Sequence, residues 1–578
     1  VISSVALEWQ IIPELRLTTQ ANYKFGKSTS DRYYPKKYTE IGTMNNGQGE
    51  ISNWEGNNIV WDIYANFNKT FNKHNLGVMA GYSWEYNNSR SSDLVARSFV
   101  NEALGNENMS AGSPEKNTIS NGYTSSTMLS AMFRANYTYN NRYLATFTAR
   151  ADGSSKFGDN NKWAFFPSGA LSWKAHEETF VKNLKVFDEL KFRLSYGISG
   201  NQGISPYQTL SRYGTDKYYN NGTWVTTIGP GYVSGWTGPG WIYRVWSGIP
   251  NPDLKWETTT SYNAGLDFGF LRDRIMGTVE YYRAKTTDLL VEKSINQTTG
   301  YNTQLVNMGS VLNQGVEITA NFVPVKIKNF TWTVDVIWAH NQNKILSLNG
   351  AQGANGELLN DEANGWFIGH NINAYYDYQF DGIWQLSDDI PDYGGTYQPQ
   401  PGDIRVKDVN NDGKITAEDR VVIDRDPKWT ASLGTAFKFF GVDISFDFYG
   451  VYGAVRQNNY LYSSNQGGDL KGVRNGIKVD YWTIENPSNT APRPRDGNIT
   501  YFSSLSYQDA SYFRLRTLSV GYSFPKKLIE KAKMSNLRIY CTASNVFTCT
   551  KYQSYSPEAS AGSYPEPRTV IGGLNLSF

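Results

Sequence analysis

No stretch of this 578-residue chain reaches the roughly 18 uncharged apolar residues that a membrane helix requires, which excludes a helical membrane protein. Two cysteines, Cys541 and Cys549, are too few for a disulfide framework and read as incidental thiols. Net charge is scarce as well. With 55 Lys and Arg against 53 Asp and Glu, the balance of +2 gives no footprint for nucleic acid. The four histidines, His74, His176, His340 and His370, are scattered, with no HxxxH pair or cysteine neighbour to suggest zinc. There is no GxSxG elbow, Walker loop or dinucleotide fingerprint, and acid pairs such as Asp361-Glu362 and Asp388-Asp389 lie in polar loops, so nothing supports an enzyme. Val1 opens directly in a strand-like run, VISSVALEWQII, without the basic, apolar and cleavage regions of a signal peptide. The chain is therefore expected to be the C-terminal part of a longer polypeptide.

What the chain does have is aromatics, glycine and alternation. Aromatic residues reach 15%, with 17 Trp and 40 Tyr, and Gly stands at 53. The mean hydropathy of −0.51 would suit a large soluble protein, but a β-barrel evades that test, because only every second residue of its strands meets lipid. The last ten residues, Thr569 to Phe578, set Leu574, Leu576 and Phe578 on one side and Gly573, Asn575 and Ser577 on the other. Similar period-two runs recur. Phe192, Leu194, Tyr196 and Ile198 alternate with polar residues, as do Val316 to Phe322, Phe330 to Trp338 and Val442 to Phe448. Roughly 16 to 18 such segments, many of about ten residues or more, favour a transmembrane antiparallel β-barrel over a sandwich, whose strands average about five or six. Tight turns are expected at Asn140-Asn141, Arg272-Asp273, Lys328-Asn329 and Phe440-Gly441. Long polar loops are expected over 27–56, 90–120, 200–254, 345–428, 455–508 and 550–566. Short turns at one end and long loops at the other are the periplasmic and external ends of an outer-membrane barrel. Two of the short connections, 176–189 and 525–535, are enlarged, and KKLIEKAKM in the second suits a short amphipathic helix.

The sharpest motif is DVNNDGKITAED, Asp408 to Asp419, in an external loop spanning 401–427. Asp408, Asn410 and Asp412 occupy positions 1, 3 and 5 of a calcium loop, Gly413 the sharp bend, Lys414 the carbonyl position, Thr416 position 9 and Asp419 position 12. Aspartate at position 12 has a shorter reach than glutamate, and the flanks are extended, so an isolated Ca²⁺ loop is expected. The bland alternative is an Asx-rich turn capping a surface loop.

A second constellation is the aromatic loop 200–254. Trp224, Tyr232, Trp236, Trp241, Tyr243 and Trp246, with Tyr218 and Tyr219, are interleaved with glycines. Flat aromatic faces suit stacking on sugar rings, but the same residues equally suit packing within a folded loop or contact with a protein partner. An adhesin that binds glycans without transport is the alternative reading of both motifs. Strand length and the terminal Phe578 count against it.

ARADGSSKFGDNNKWAFFPSGALSW (149–173), KFRLSYGISGNQGISPYQTL (191–210), NPDLKWETTTSYNAGLDFGF (251–270), GSVLNQGVEITANF (309–322), YFRLRTLSVGYSFP and the terminal TVIGGLNLSF resemble, in order and spacing, the barrel of SusC/RagA-type TonB-dependent transporters of Bacteroidetes. The resemblance covers nearly the whole chain, residues 1–578, as the C-terminal part of such a barrel. It implies 22 strands around a plug, a SusD-like lipoprotein lid outside, energy from TonB, and import of an oligosaccharide or a peptide. It also implies a possible dimer of transporter and lid pairs, and an acidic loop where Asp408 to Asp419 lies. Against that pattern the plug, the TonB box and about the first five or six strands are expected to lie outside this chain.

Overall fold

The computed structural model describes the chain except residues 212, 221, 231–248, 297, 299–300, 302, 393–396, 459–479, 495–498 and 560–563. Among the described residues seventeen strands run nine residues or longer, and no helix is long and apolar enough to cross a membrane. The chain forms two compact units. The first holds Val1–Trp173, Leu194–Tyr262 and Thr286–Gly309; the second holds Lys174–Arg193, Asn263–Lys285 and Ser310–Phe578.

The first unit is built on an antiparallel meander in chain order: Ile2–Ile12, Leu15–Tyr34, Gln48–Phe71, His74–Arg97, Thr118–Tyr139, Tyr143–Ser154 and Trp163–Lys174. Directly opposed residues of such a ladder share a face, so the registers sort the side chains. Along His74–Arg97 one face carries Leu76, Val78, Ala80, Tyr82, Trp84 and Tyr86. These meet Trp61 and Ile63 on one neighbour and Leu129, Phe133 and Tyr137 on the other. The opposite face carries Ser83, Glu85 and Asn87, and across the ladder Asn58 Nδ2 donates to Glu85 Oε1 at 3.0 Å and to Asn87 Oδ1 at 2.7 Å. Burying this second face in lipid would strand those groups, whereas the first is aliphatic and aromatic, with polar atoms only at the tips of its Tyr and Trp rings. From Leu76 to Tyr86 the apolar face covers about 33 Å of strand, which at a tilt of about 40° spans the roughly 25 Å hydrocarbon band of a membrane barrel. Aromatics mark both rims, Tyr139 and Tyr143 at one and Trp84 stacked 6.2 Å from Tyr86 at the other.

The second unit repeats the device with Ser310–Ile327, Phe330–Ser347, Trp429–Phe439, Val442–Tyr452, Tyr512–Ser523, Asn536–Thr550 and Thr569–Ser577. Trp332, Phe437, Ile444, Val520, Ile539 and Leu574 follow one another across its apolar face, and the free thiols Cys541 and Cys549 are exposed there too.

The turns form as expected. Asn140 and Asn141 adopt φ of 49° and 54°, and Phe440 and Gly441 adopt 48° and 89°, the left-handed pairs of two-residue hairpins. The enlarged connections hold only single turns, Thr179–Lys182 and Lys526–Ile529, the latter followed by a 3-10 turn Glu530–Ala532. The expected loops 27–56 and 90–120 need correction: the strands continue to Tyr34 and Arg97 and restart at Gln48 and Thr118. Beyond the hydrocarbon both faces meet water, so the backbone ladder persists after hydrophobic alternation has ended.

Candidate functional site

The external end of the second unit folds as a small domain around Ile383, Ile404, Val406, Trp482, Ile499 and Phe502. Burying side chains of this size contributes about 1.5–3 kcal/mol each, enough to order a loop that lacks regular structure. Three short ladders support it, pairing Tyr375–Tyr378 with Arg420–Ile423, Phe380–Ile383 with Ile404–Val406, and Val455–Gln457 with Tyr507–Asp509. Asp403, buried beneath it, accepts from Arg493 Nε at 3.0 Å and from the Tyr397 hydroxyl at 3.1 Å.

The segment Asp408 to Asp419 is the loop between two of these short strands. Its tight path follows from side chains accepting from nearby amides: Asp408 takes Asn411 N at 2.7 Å and Gly413 N at 2.8 Å, Asn410 takes Asp412 N at 3.0 Å, and Asp412 takes Lys414 N at 2.8 Å. Asn411 and Gly413 turn through the left-handed region, with φ of 59° and 78°. Asp419 behaves differently. It is fully buried, and its two oxygens accept from Val409 N at 2.9 Å and Thr416 N at 2.7 Å, closing a capping box with Thr416. Position 12 therefore anchors the loop, while Asp408, Asn410 and Asp412 lie toward solvent. Among the described residues no three His, Cys, Asp or Glu side chains cluster as a metal cage. Any cation held here must draw oxygens from Asn410, the Lys414 carbonyl and Thr416 besides the carboxylates.

Of the aromatic loop, Tyr232, Trp236, Trp241, Tyr243 and Trp246 lie outside the described residues. Trp224 belongs to a hairpin, Tyr213–Asn220 with Thr223–Pro230, opposite Tyr219. The flanks of the loop pack inward. Trp256 joins Phe157, Phe166, Ile204 and Leu254 in a buried cluster of the first unit, 4.8 Å from the Phe157 ring, and its indole N–H donates to the Lys162 carbonyl at 3.1 Å. Asn160 and Asn161 fasten the opposite segment by donating to Asp253 at 2.8 and 2.9 Å. Three motifs distant in sequence, DGSSKFGDNNKW, GNQGIS and NPDLKWE, thus meet in one core. Gly158 is required there because a Cβ would lie 2.0 Å from the Pro252 carbonyl.

Two features of the second unit escaped sequence reasoning. One is a cavity of about 240 Å³ on the polar face near its external end, walled by Tyr282, Asn313, Asn341, Asn343 and Asp426 and bordered by Trp429, whose register with Tyr452 puts it on the apolar side of its strand. Tyr282 donates to Asn341 Oδ1 at 2.7 Å and Asn343 Nδ2 to Asn313 Oδ1 at 2.7 Å. Partial desolvation holds the Asp426 carboxyl above the usual range, and Asp424 reinforces this against the pull of Arg425. The run His340-Asn341-Gln342-Asn343 was its only sequence signal. The other is a set of charge pairs on the polar face: Arg193 with Asp267 at 2.7 Å and Glu280 at 2.5 Å, Arg538 with Asp443 at 2.6 Å, and Arg516 with Asp447 at 2.6 Å. These residues are 69 or more positions apart in sequence, so no local pattern joins them.

With two-faced strands, short turns at one end and a folded external loop at the other, the comparison with known proteins is decisive. A family model described as "TonB dependent receptor-like, beta-barrel" matches residues 3–546. The chain belongs to the TonB-dependent receptor-like beta-barrel family. Its apolar faces therefore meet the lipid of the outer membrane, and its polar faces line the barrel interior. It is 32% identical over 531 residues to TonB-dependent receptor P26 of Formosa agariphila, covering 87% of this chain and 51% of the relative. It is 28% identical over 601 residues to TonB-dependent receptor SusC of Bacteroides thetaiotaomicron, covering 99% and 55%. The chain thus spans about half the length of the curated relatives it matches. A solved structure titled "Structure of the RagAB peptide transporter" shares the fold, with a TM-score of 0.81 at 21% identity, covering 100% of this chain and 61% of the other. These relatives are receptors and transporters, not enzymes.

Proposed function

We propose that this chain forms the membrane wall and external capture surface of an active importer that carries a bulky nutrient, an oligosaccharide or a peptide, across the outer membrane. The observation that carries the reading is the family match over residues 3–546. The likeness to SusC and to the RagAB peptide transporter supports a SusD-like lipoprotein as lid and TonB as the energy source, engaged through a plug. The amide-lined cavity at Asn313, Asn341 and Asn343 suits such cargo. Carboxamides both donate and accept, so they meet sugar hydroxyls and peptide groups alike, and the neighbouring Tyr282 offers a flat apolar face. Trp224, Tyr232, Trp236, Trp241, Tyr243 and Trp246 are proposed as further contacts for cargo or lid, as flat aromatic faces suit either. The test is uptake of fluorescent oligosaccharides and peptides by cells carrying or lacking the full-length gene, with TonB intact or deleted. Loss of uptake of one class in both deletions is expected; unchanged uptake of every class would overturn the reading.

Ca²⁺ held by Asp408, Asn410, Asp412, Lys414 and Thr416, with Asp419 anchoring the loop, would stiffen the external domain. Titration calorimetry should detect Ca²⁺ uptake that Asp412→Ala abolishes. Absence of any binding heat would reduce the loop to an Asx-rich turn.

A further inference from the structure

The tryptophans of the first unit's meander sort by face, with one exception. Trp9, Trp61, Trp84, Trp163 and Trp173 stand in register on the apolar side, where an indole suits the lipid boundary of a barrel. Trp54 stands on the other side, opposed by Ser28 on one neighbouring strand and Ser91 on the next, so the membrane gives no reason for it. From Ile59, opposite Tyr86 at the top of the apolar face, the strand climbs about 17 Å to Trp54. The indole therefore stands at the external mouth, on the face that lines the interior.

The strands around it leave a place for the ring. Gly26 and Gly56 are directly opposed on this face, and a Cβ would come within 2.9 Å of Trp54 Cζ3 at Gly26 and 2.5 Å of Cζ2 at Gly56. The six-membered ring thus lies over bare backbone between two strands, and a side chain at either glycine would lift it off. Trp54 is nonetheless 46% exposed. Because the sheet covers its near side, the open side is the one turned to the interior.

The surroundings are small and hydroxylated. Ser28 and Ser91 flank the ring, Ser52 and Asp93 stand in the next row outward, and Ser89 bonds to Thr124 at 2.9 Å in the next row inward. No aliphatic side chain and no second aromatic shares these three rows on the strands from Leu15–Tyr34 to Thr118–Tyr139. Among the described residues the Trp54 indole N–H, the Ser28, Ser52 and Ser91 hydroxyls and the Asp93 carboxylate have no side-chain hydrogen-bond partner. A lone flat apolar face ringed by free donors and acceptors matches a pyranose, whose C–H face is apolar and whose hydroxyls project at the rim. A peptide's apolar side chains would find no wall beyond the ring.

We infer that Trp54 is a stacking platform for one pyranose ring of the cargo, with Ser28, Ser91 and Asp93 meeting its hydroxyls. The inference rests on the import reading and narrows the cargo to a saccharide.

The test uses the full-length protein purified from outer membranes in mild detergent. It is titrated calorimetrically with neutral gluco-, manno- and galacto-oligosaccharides and with peptides of similar length. At least one saccharide should bind, and Trp54→Leu, which still covers the glycine pair but has no flat face, should weaken that binding about tenfold. Trp54→Tyr, which restores a flat ring, should stay within about threefold of the parent. Heat-dependent gel mobility checks that both variants are folded. Equal affinity in parent and Trp54→Leu would overturn the inference, and so would a panel in which no saccharide binds, whether or not peptides do. Neither result touches the import reading, which stands or falls on TonB-dependent uptake.

Discussion

At the residue scale, the loop Asp408 to Asp419 separates two roles that one motif confounds. Asp419 is buried and satisfies two backbone amides, so Asp419→Ala strands both donors, and each unsatisfied buried group costs about 1–3 kcal/mol. Asp412 faces solvent and accepts only from Lys414 N, so its loss is expected to matter little unless a cation is present. Hydrogen exchange over 404–423 should therefore accelerate in Asp419→Ala with or without Ca²⁺. In Asp412→Ala it should change only when Ca²⁺ is supplied to the parent for comparison. Acceleration of equal size in both variants without Ca²⁺ would show that the exposed and buried carboxylates share one role. Asp426 makes a separate prediction. Its native carboxyl holds its proton above the usual range, while the unfolded one releases it near pH 3.9. Native protein thus binds the proton more tightly, and the contribution to stability is greatest below about pH 4 and is lost as pH rises through the raised native value. Asp426→Asn should raise stability at neutral pH and give no advantage below about pH 4, as read from urea midpoints across that range. A gain that persisted into acid would remove desolvation as its cause.

At the element scale, the membrane-facing half of each strand was legible in the sequence and the external half was not. Lipid imposes alternation, so Phe330 to Trp338 and Val442 to Phe448 announce themselves, as does the terminal strand. Past Tyr86 both faces are wet, polar residues occupy every position from Asn87 to Asp93, and the unseen hydrogen-bond ladder keeps Asn87 to Arg97 extended. The calcium spacing was legible because it is local. Its anchoring by Asp419 was only half so, since amide partners are set by how the loop closes. Charge pairs such as Arg538 with Asp443, 95 positions apart, depend on a register that no local pattern encodes. The same two-sidedness predicts opposite outcomes for neighbours on one strand. Leu518 shares the apolar face with Phe446 and Ala543, whereas the Ser519 hydroxyl bonds across the polar face to Thr542 at 2.9 Å. Leu518→Lys places an ammonium in hydrocarbon and should cost about 2–4 kcal/mol, while Ser519→Lys opens to the interior and should cost far less. Denaturant unfolding in detergent measures both. Equal losses would mean that the face assignment of Tyr512–Ser523 is wrong.

At the scale of the whole molecule, the composition poses a question that the ion pairs answer. A chain with 108 charged side chains, 55 cationic and 53 anionic, has the means to recognise cargo by charge. On the inner face of the second unit, however, the arginines are already committed. Arg193 lies between Asp267 and Glu280, Arg516 meets Asp447 and Arg538 meets Asp443, each on a strand one or two places away and each at 2.7 Å or less. Pairs of this kind cancel at distances beyond a few ångströms and leave the wall polar without a field. The external cavity follows the same rule: three asparagines and a tyrosine surround one carboxyl that resists ionisation. Capture by such a surface should rest on hydrogen bonds and aromatic contact, which salt screens weakly, and not on long-range attraction, which it screens within about 10 Å at 0.1 M. For the full-length importer proposed above, affinity for a neutral oligosaccharide or peptide should therefore change by less than about twofold between low salt and about 0.5 M salt. A steep salt dependence of cargo binding would show that capture is governed by charges other than these internally paired ones, and the amide-lined cavity would lose its place in recognition.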